Sequence, residues 1–270
     1  MFAQTIKYWS SHSKNSIEMK FLAIIPARYA STRFPAKPLV LLDGKPIIQH
    51  VYERVAQCVE HTYVATDDER IFNAVKGFGG NVVMTKSDHR CGTDRCCEAM
   101  ENLGLDIDIV INVQGDEPFV SPEHIELLKS GFESEETDIV TLAVPFSEEG
   151  GIEALENPNS PKVVIDESMH ALYFSRSVIP YIRGVERSEW LKHHTYYKHL
   201  GIYAFRANVL KEITSLPATP LEKLESLEQL RWIESGYKVR MGITTVETVG
   251  IDTPEDLIKA EQFINSNKHK

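Results

Sequence analysis

The stretch Ile24-Ile25-Pro26-Ala27-Arg28-Tyr29-Ala30-Ser31-Thr32-Arg33-Phe34-Pro35-Ala36-Lys37-Pro38-Leu39 runs from an apolar strand straight into a loop that holds Arg28, Arg33 and Lys37. Phe21 to Pro26 is a short, nearly continuous apolar run, the pattern of a strand buried on both faces. Past Asp43-Gly44-Lys45-Pro46, the spacing of Ile47, Ile48, Val51 and Val55 predicts an amphipathic helix from Ile47 to Cys58. The unit is strand, loop, helix, with the cations in its loop. Basic groups packed this closely repel one another unless an anion lies among them. The loop therefore suits a polyphosphate, and a solvated basic turn is the plainer alternative.

The same rhythm continues outward. Tyr63 to Thr66 reads as a strand, followed by a helix through Phe72, Val75 and Phe78 that stops at Gly79-Gly80. Asn81 to Thr85 is a third strand, Thr93 to Leu103 a helix, and Ile107 to Val113 a strand ending in Gln114-Gly115-Asp116-Glu117-Pro118. Ser121-Pro122 starts another helix, with Ser as cap and Pro at the first helical position. Asp138 to Pro145 is again a strand. Strands alternating with helices in this way specify an α/β fold with a mostly parallel sheet and helices on both faces. Then the pattern changes. Lys162 to Asp166, Ala171 to Ser175 and Gly201 to Phe205 read as strands of a small antiparallel insertion, over about 160–205. Pro180 to Lys198 has no period and reads as a mobile or partner-covered loop. Leu221 to Ser235 is predicted as one amphipathic helix, Val239 to Val246 as a strand, and Pro254 to Ile264 as a closing helix. Residues 1–18 lack periodicity and are expected to be a disordered extension or an upstream start, leaving 19–270 as a single domain.

A net charge of -10 argues against nucleic acid as a partner, since phosphate-backbone binders present broad basic surfaces. The positive charge is local, so a small anion is expected. Cys58, Cys91, Cys96 and Cys97 have neither zinc spacing nor the pattern of a secreted disulfide framework, which points to a reducing, cytoplasmic setting. No apolar run is long enough for membrane insertion.

In open parallel sheets ligands bind beyond the carboxyl ends of the strands. Polar clusters fall there after four successive strands: the basic loop, Ala65-Thr66-Asp67, Ser87 to Arg95, and Gln114-Gly115-Asp116. There is no G-x-x-x-x-G-K-[ST] loop and no G-x-G-x-x-G, so side-chain cations must hold any phosphate. Asp116 is placed to ligate Mg2+, which takes carboxylate oxygens together with substrate phosphates; a helix-capping or solvated Asp is the alternative. Asp252 offers a second ligand, or else an N-cap shared with Thr253. His193, His194 and His199 lack the partners of a tetrahedral zinc site, and Asp106-Ile107-Asp108 stands before its strand, at the wrong end of the sheet.

Taken in order, the motifs resemble one family. Pro26-Ala27-Arg28-x-x-Ser31-x-Arg33-x-Pro35-x-Lys37-Pro38-Leu39, Gln114-Gly115-Asp116-Glu117-Pro118, Tyr173-Phe174-Ser175-Arg176, Lys198-His199-Leu200-Gly201-Ile202-Tyr203, Leu227-Glu228-Gln229-Leu230-Arg231 and Asp252-Thr253-Pro254-Glu255-Asp256-Leu257 are similar to the 3-deoxy-D-manno-octulosonate (Kdo) cytidylyltransferases. The opening motif alone would also admit CMP-sialate synthetases or other acidic-sugar cytidylyltransferases. A non-catalytic nucleotide-binding regulator on the same fold is a further alternative. The resemblance implies a Rossmann-like nucleotidyltransferase sheet, the substrates CTP and Kdo, Mg2+ as cofactor, and a cytoplasmic homodimer serving lipopolysaccharide synthesis. It implies that Arg28, Arg33 and Lys37 hold the triphosphate, that Thr93 and Arg95 lie on the cytidine side, and that Asp116 and Asp252 hold the metal. Arg28, Lys37, Asp116 and Asp252 are the expected catalytic set. Gln114, Arg176, His199, Tyr203, Glu228 and Gln229 would line the sugar pocket, with the Arg176 guanidinium suited to the Kdo carboxylate. Two departures from the family pattern stand out. Ala36 replaces a Gly before the loop lysine, which matters if that position needs positive φ. Cys91 stands where Ser is common, which removes a hydroxyl.

Overall fold

The computed structural model describes residues 19–30, 34–247 and 250–267. The expectations for residues 1–18 and for Arg33 lie outside the described residues. The chain opens with β1 (Phe21–Ala27), the short hairpin β2 (Leu41–Leu42) and β3 (Lys45–Pro46), and α1 (Ile47–Ala56). It continues through β4 (His61–Thr66), α2 (Glu69–Gly77), β5 (Val82–Met84), α3 (Gly92–Leu103), β6 (Ile109–Asn112), α4 (Pro122–Ser130) and β7 (Ile139–Pro145). The second half holds α5 (Gly151–Glu156), β8 (Lys162–Ile165), β9 (Ala171–Ser175), α6 (Trp190–His193), β10 (Tyr197–Arg206), α7 (Ala207–Ser215), α8 (Pro220–Glu225), α9 (Gln229–Glu234), β11 (Val239–Ile243) and α10 (Pro254–Asn267).

The main sheet has the order β11-β7-β10-β6-β1-β4-β5, with β8 and β9 attached through β10. β4 and β6 flank β1 in parallel, β5 is parallel to β4, and β11 is parallel to β7. Because the strands are apolar on both sides, they feed two cores. One face packs Ile25, Val51, Val64, Ile111 and Ile202; the other packs Ile24, Met100, Val110, Phe205 and Trp232. All ten residues are buried.

Several expectations need correction. The strand at Gly201 to Phe205 does not belong to an appended insertion: β10 lies in the middle of the main sheet, antiparallel to both β6 and β7. Only β8 and β9 extend outward from it as an antiparallel pair. Helix α7 was not expected, because Arg206 offers no side-chain cap; its first N–H is satisfied instead by the distant Asp108 carbonyl at 2.9 Å. The single helix expected over Leu221 to Ser235 is two helices with Ser226 at φ 50° between them. The break has a tertiary cause. The Glu225 carboxylate accepts from Ser175 Oγ (2.6 Å) and Arg176 N (2.9 Å), and the Glu225 carbonyl accepts from Arg176 Nε (2.6 Å). These contacts satisfy the end of α8 without a further helical turn. Nor is Pro180 to Lys198 a loosely held loop. Trp190 and Tyr196 are buried with Leu155 in a small core, and Tyr196 Oη donates to Pro180 O at 2.9 Å.

Candidate active site

The polar clusters after β1, β5 and β6 converge on one rim. There Arg28, Lys37, His89, Arg90, Arg95, Gln114, Asp116 and Asp252 line a cleft of about 330 Å³. Two glycines let the segments approach. A Cβ on Gly115 would stand 2.9 Å from the Pro26 carbonyl, and one on Gly92 would stand 3.2 Å from the Pro26 ring. The loop after β1 is folded back by Ala36 N donating to Tyr29 O at 3.1 Å, and the Arg70 guanidinium lies 3.3 Å over the Tyr29 ring. Ala36 itself adopts φ 58°, ψ 14°, the left-handed region that costs a residue with a Cβ. The departure from Gly therefore leaves this loop strained. Ala36→Gly is expected to stabilise the protein by roughly 0.5–1 kcal/mol, the relief of strain being partly offset by the greater freedom of an unfolded glycine. Chemical denaturation checks this, and a destabilised variant would contradict it.

At the centre of the cleft, Lys37 Nζ lies 2.5 Å from Asp116 Oδ2 and 3.0 Å from Asp252 Oδ1. Burial works against the ammonium charge, but the two carboxylates outweigh it, and the Lys37 pKa is raised. The Ile251 N–H donates to Asp116 O at 2.9 Å, tying the two acidic segments together. The side chain that caps α10 is Thr253, whose Oγ1 accepts from Asp256 N (3.3 Å) while Asp256 Oδ2 accepts from Thr253 N (3.1 Å). The Asp252 carboxylate is thereby left facing Lys37. Next in the chain, burial and the Asp116 charge push Glu117 up to about 8. Two carboxylate oxygens gripping one compact cation form an all-oxygen donor pair of the kind Mg2+ takes when phosphate oxygens complete its shell, so these residues fit that ion.

One wall of the cleft is the N-terminal end of α3. Arg95 is buried; its Nη1 donates to Thr85 Oγ1 (2.6 Å) and Lys86 O (3.2 Å), and its Nη2 pairs with Asp67 Oδ1 (3.1 Å). His89 pairs with Glu98, and Arg90 with Asp94 at 2.8 Å. Sequence reasoning placed the Ser87 to Arg95 cluster here but singled out neither His89 nor Arg90. Thr93 Oγ1 donates to Glu228 Oε1 at 2.8 Å. Burial raises the Cys91 pKa, so the group in the serine position is a thiol and not a thiolate.

Of the six residues expected on the sugar side, Gln114 lines the cleft, whereas Arg176, His199, Tyr203, Glu228 and Gln229 do not. Gln114 Nε2 donates to Gly201 O at 3.3 Å, and Tyr203 Oη donates to Gln229 Oε1 at 3.3 Å. Burial raises the Glu228 pKa, against the hydrogen bond from Thr93. A register shift between Leu200 and Tyr203 turns the Gly201 carbonyl toward Gln114. Arg176 stands outside the cleft lining, its guanidinium donating to Glu225 O (2.6 Å), Pro158 O (2.9 Å) and Ser226 O (3.2 Å). Three of its five N–H groups are thus engaged, which leaves two for a carboxylate.

His199 is buried, with Nε2 3.0 Å from Thr141 Oγ1. That hydroxyl has one hydrogen and lies 2.7 Å from the Ile202 carbonyl, so it accepts from a neutral His199 Nε2–H. Burial lowers the His199 pKa to about 3, far from the value a base working near neutrality needs. The unfolded chain takes up this proton below about pH 6.5, and the folded protein does not until near pH 3. His199 therefore stabilises the fold above pH 6.5, and that contribution is lost as pH falls, by up to about 1.4 kcal/mol per unit. In His199→Asn the thermal midpoint is expected to fall less steeply between pH 7 and pH 4 than in the wild type. Parallel slopes would contradict this.

The cytidylyltransferase family profile matches residues 22–262. A 3-deoxy-manno-octulosonate cytidylyltransferase of Phocaeicola vulgatus is 61% identical over 93% of this chain and 99% of its own length. An 8-amino-3,8-dideoxy-manno-octulosonate cytidylyltransferase of Shewanella halifaxensis is 49% identical over 88% of this chain and 96% of its own. A solved structure of CMP:2-keto-3-deoxy-manno-octonic acid synthetase complexed with CTP superposes with a TM-score of 0.84 at 42% identity, covering 92% of this chain and 99% of that one.

Proposed function

The chain belongs to the cytidylyltransferase family, and from that premise we propose that it activates Kdo: CTP and Kdo are converted to CMP-Kdo and pyrophosphate. The observation that supports this most is Lys37 held between Asp116 and Asp252 in one cleft with Arg28, a charge arrangement suited to a triphosphate. The anomeric hydroxyl of Kdo attacks the α-phosphorus in line, and the bond from that phosphorus to the pyrophosphate oxygen breaks. Lys37 and Arg28 offset the repulsion between the incoming acidic sugar and the triphosphate. Asp116 and Asp252 would hold Mg2+, which would supply positive charge at the phosphates and acidify the attacking hydroxyl. Arg33 adds to the triphosphate cations, and Thr93 and Arg95 fix the cytidine end. Gln114, Tyr203, Glu228 and Gln229 orient the sugar, His199 serves as a neutral hydrogen-bonding partner, and Arg176 offers its two remaining N–H groups to the sugar carboxylate. The protein works as a cytoplasmic homodimer supplying lipopolysaccharide synthesis.

The Shewanella relative gives a specific reason to weigh the 8-amino sugar as the substrate. Pyrophosphate release measured with Kdo, its 8-amino-3,8-dideoxy analogue and sialate, each with CTP, tests the assignment. Kdo is expected to give the highest kcat/KM, and preference for either other sugar would replace it.

A further inference from the structure

A second group of polar atoms is buried behind the cleft lining. Asn112, the last residue of β6, is wholly buried, and among the described residues neither its carboxamide oxygen nor its nitrogen has a hydrogen-bond partner. A carboxamide has two N–H donors and two acceptor lone pairs, and buried polar atoms are almost always satisfied because an empty one is costly. Gln229 Nε2 and Glu228 Oε2 are buried and unpartnered in the same way. These atoms belong together. In the sheet register Asn112 stands opposite Tyr203 on β10, so their side chains share a face, and Tyr203 Oη reaches Gln229. Val110, two residues earlier on that face, packs in the core cluster that also holds Tyr203. Two residues further on, Gln114 lines the cleft. The chain thus passes from an unpartnered amide at the end of β6, behind the cleft lining, to Gln114 on the cleft wall and on to Asp116 within five residues.

We propose that Asn112 is a sugar-binding residue: its amide forms the floor of the acidic-sugar pocket and exchanges hydrogen bonds with sugar hydroxyls, alongside Gln229 Nε2 and Glu228 Oε2. This rests on the reading of the site as an acidic-sugar cytidylyltransferase. Hydroxyls suit the group because each can donate and accept, as the two amides do. A phosphate would instead need the cations of the rim.

The test is steady-state kinetics with CTP and Kdo on Asn112→Leu, which removes the amide at nearly constant volume, and on Asn112→Ser, which demands no new space if the leucine variant fails to fold. The sugar KM is expected to rise about tenfold or more, the loss of one good hydrogen bond, while the CTP KM stays within about twofold. The leucine variant should show no loss of thermal midpoint, because replacing an unpartnered polar group is not destabilising in itself. An unchanged sugar KM would mean that buried water satisfies the amide, and a CTP KM that rises as much or more would place the amide at the nucleotide; either overturns the proposal. The wild type run in parallel separates the two claims. If it releases no pyrophosphate with Kdo, the functional reading fails; if it does and the variants match it, only the role of Asn112 fails.

Discussion

Replacing Asp116 by Asn is expected to lower turnover by on the order of 100-fold or more, comparable with the loss of one electrostatic stabiliser from an active site. The change is nearly isosteric and sits at a partly exposed rim, so the fold should survive it. What is lost is half of the carboxylate pair around Lys37, and with it the nearer contact, at 2.5 Å. On the proposed metal role of Asp116, the Mg2+ concentration giving half-maximal turnover should also move upward. Near-normal turnover with an unchanged Mg2+ requirement would end the metal role of Asp116.

Lys37→Met should cost on the order of 100- to 1,000-fold in kcat/KM, measured by pyrophosphate release, for a different reason. The ammonium touches both carboxylates, and it stands in the cleft with Arg28. Its removal leaves Asp116 and Asp252 facing each other without it and takes a cation from the triphosphate. The CTP KM should rise, and added Mg2+ should not restore the rate, which separates this variant from Asp116→Asn. Lys37→Arg should recover little, because a planar guanidinium does not place a single compact charge between two carboxylates. Full activity in Lys37→Arg would show that charge alone matters there.

Much of this site was legible in the chain because strand periodicity fixes where each strand ends, and polar residues just beyond those ends must share one rim. Ile24 to Leu39 and Gln114 to Asp116 were read correctly as neighbours on that ground. What the sequence could not carry was contact between distant segments. The Lys37 bridge spans 79 residues to Asp116 and 215 to Asp252, and no local pattern encodes it. The break at Ser226 is invisible for the same reason: the amphipathic pattern runs on, and Arg176 ends the helix from another strand. β10 was misplaced because a strand inserted antiparallel between parallel neighbours has the same alternation as one in an appended hairpin. Asn112 was passed over inside an apolar run, since only the packed sheet reveals that its amide has no partner. Ala36 is the opposite case. The substitution for Gly raised the question of positive φ, and the backbone answers it at 58°.

The central claim is that this cleft joins a cytidine nucleotide to an acidic sugar. Incubating the protein with CTP, Kdo and Mg2+ and quantifying both products tests it most directly. The account predicts CMP-Kdo and pyrophosphate in equal amounts, formed only when both substrates are present. CTP binding without pyrophosphate release, with Kdo or any other acidic sugar, would contradict it and make the protein a nucleotide-binding regulator on the same fold.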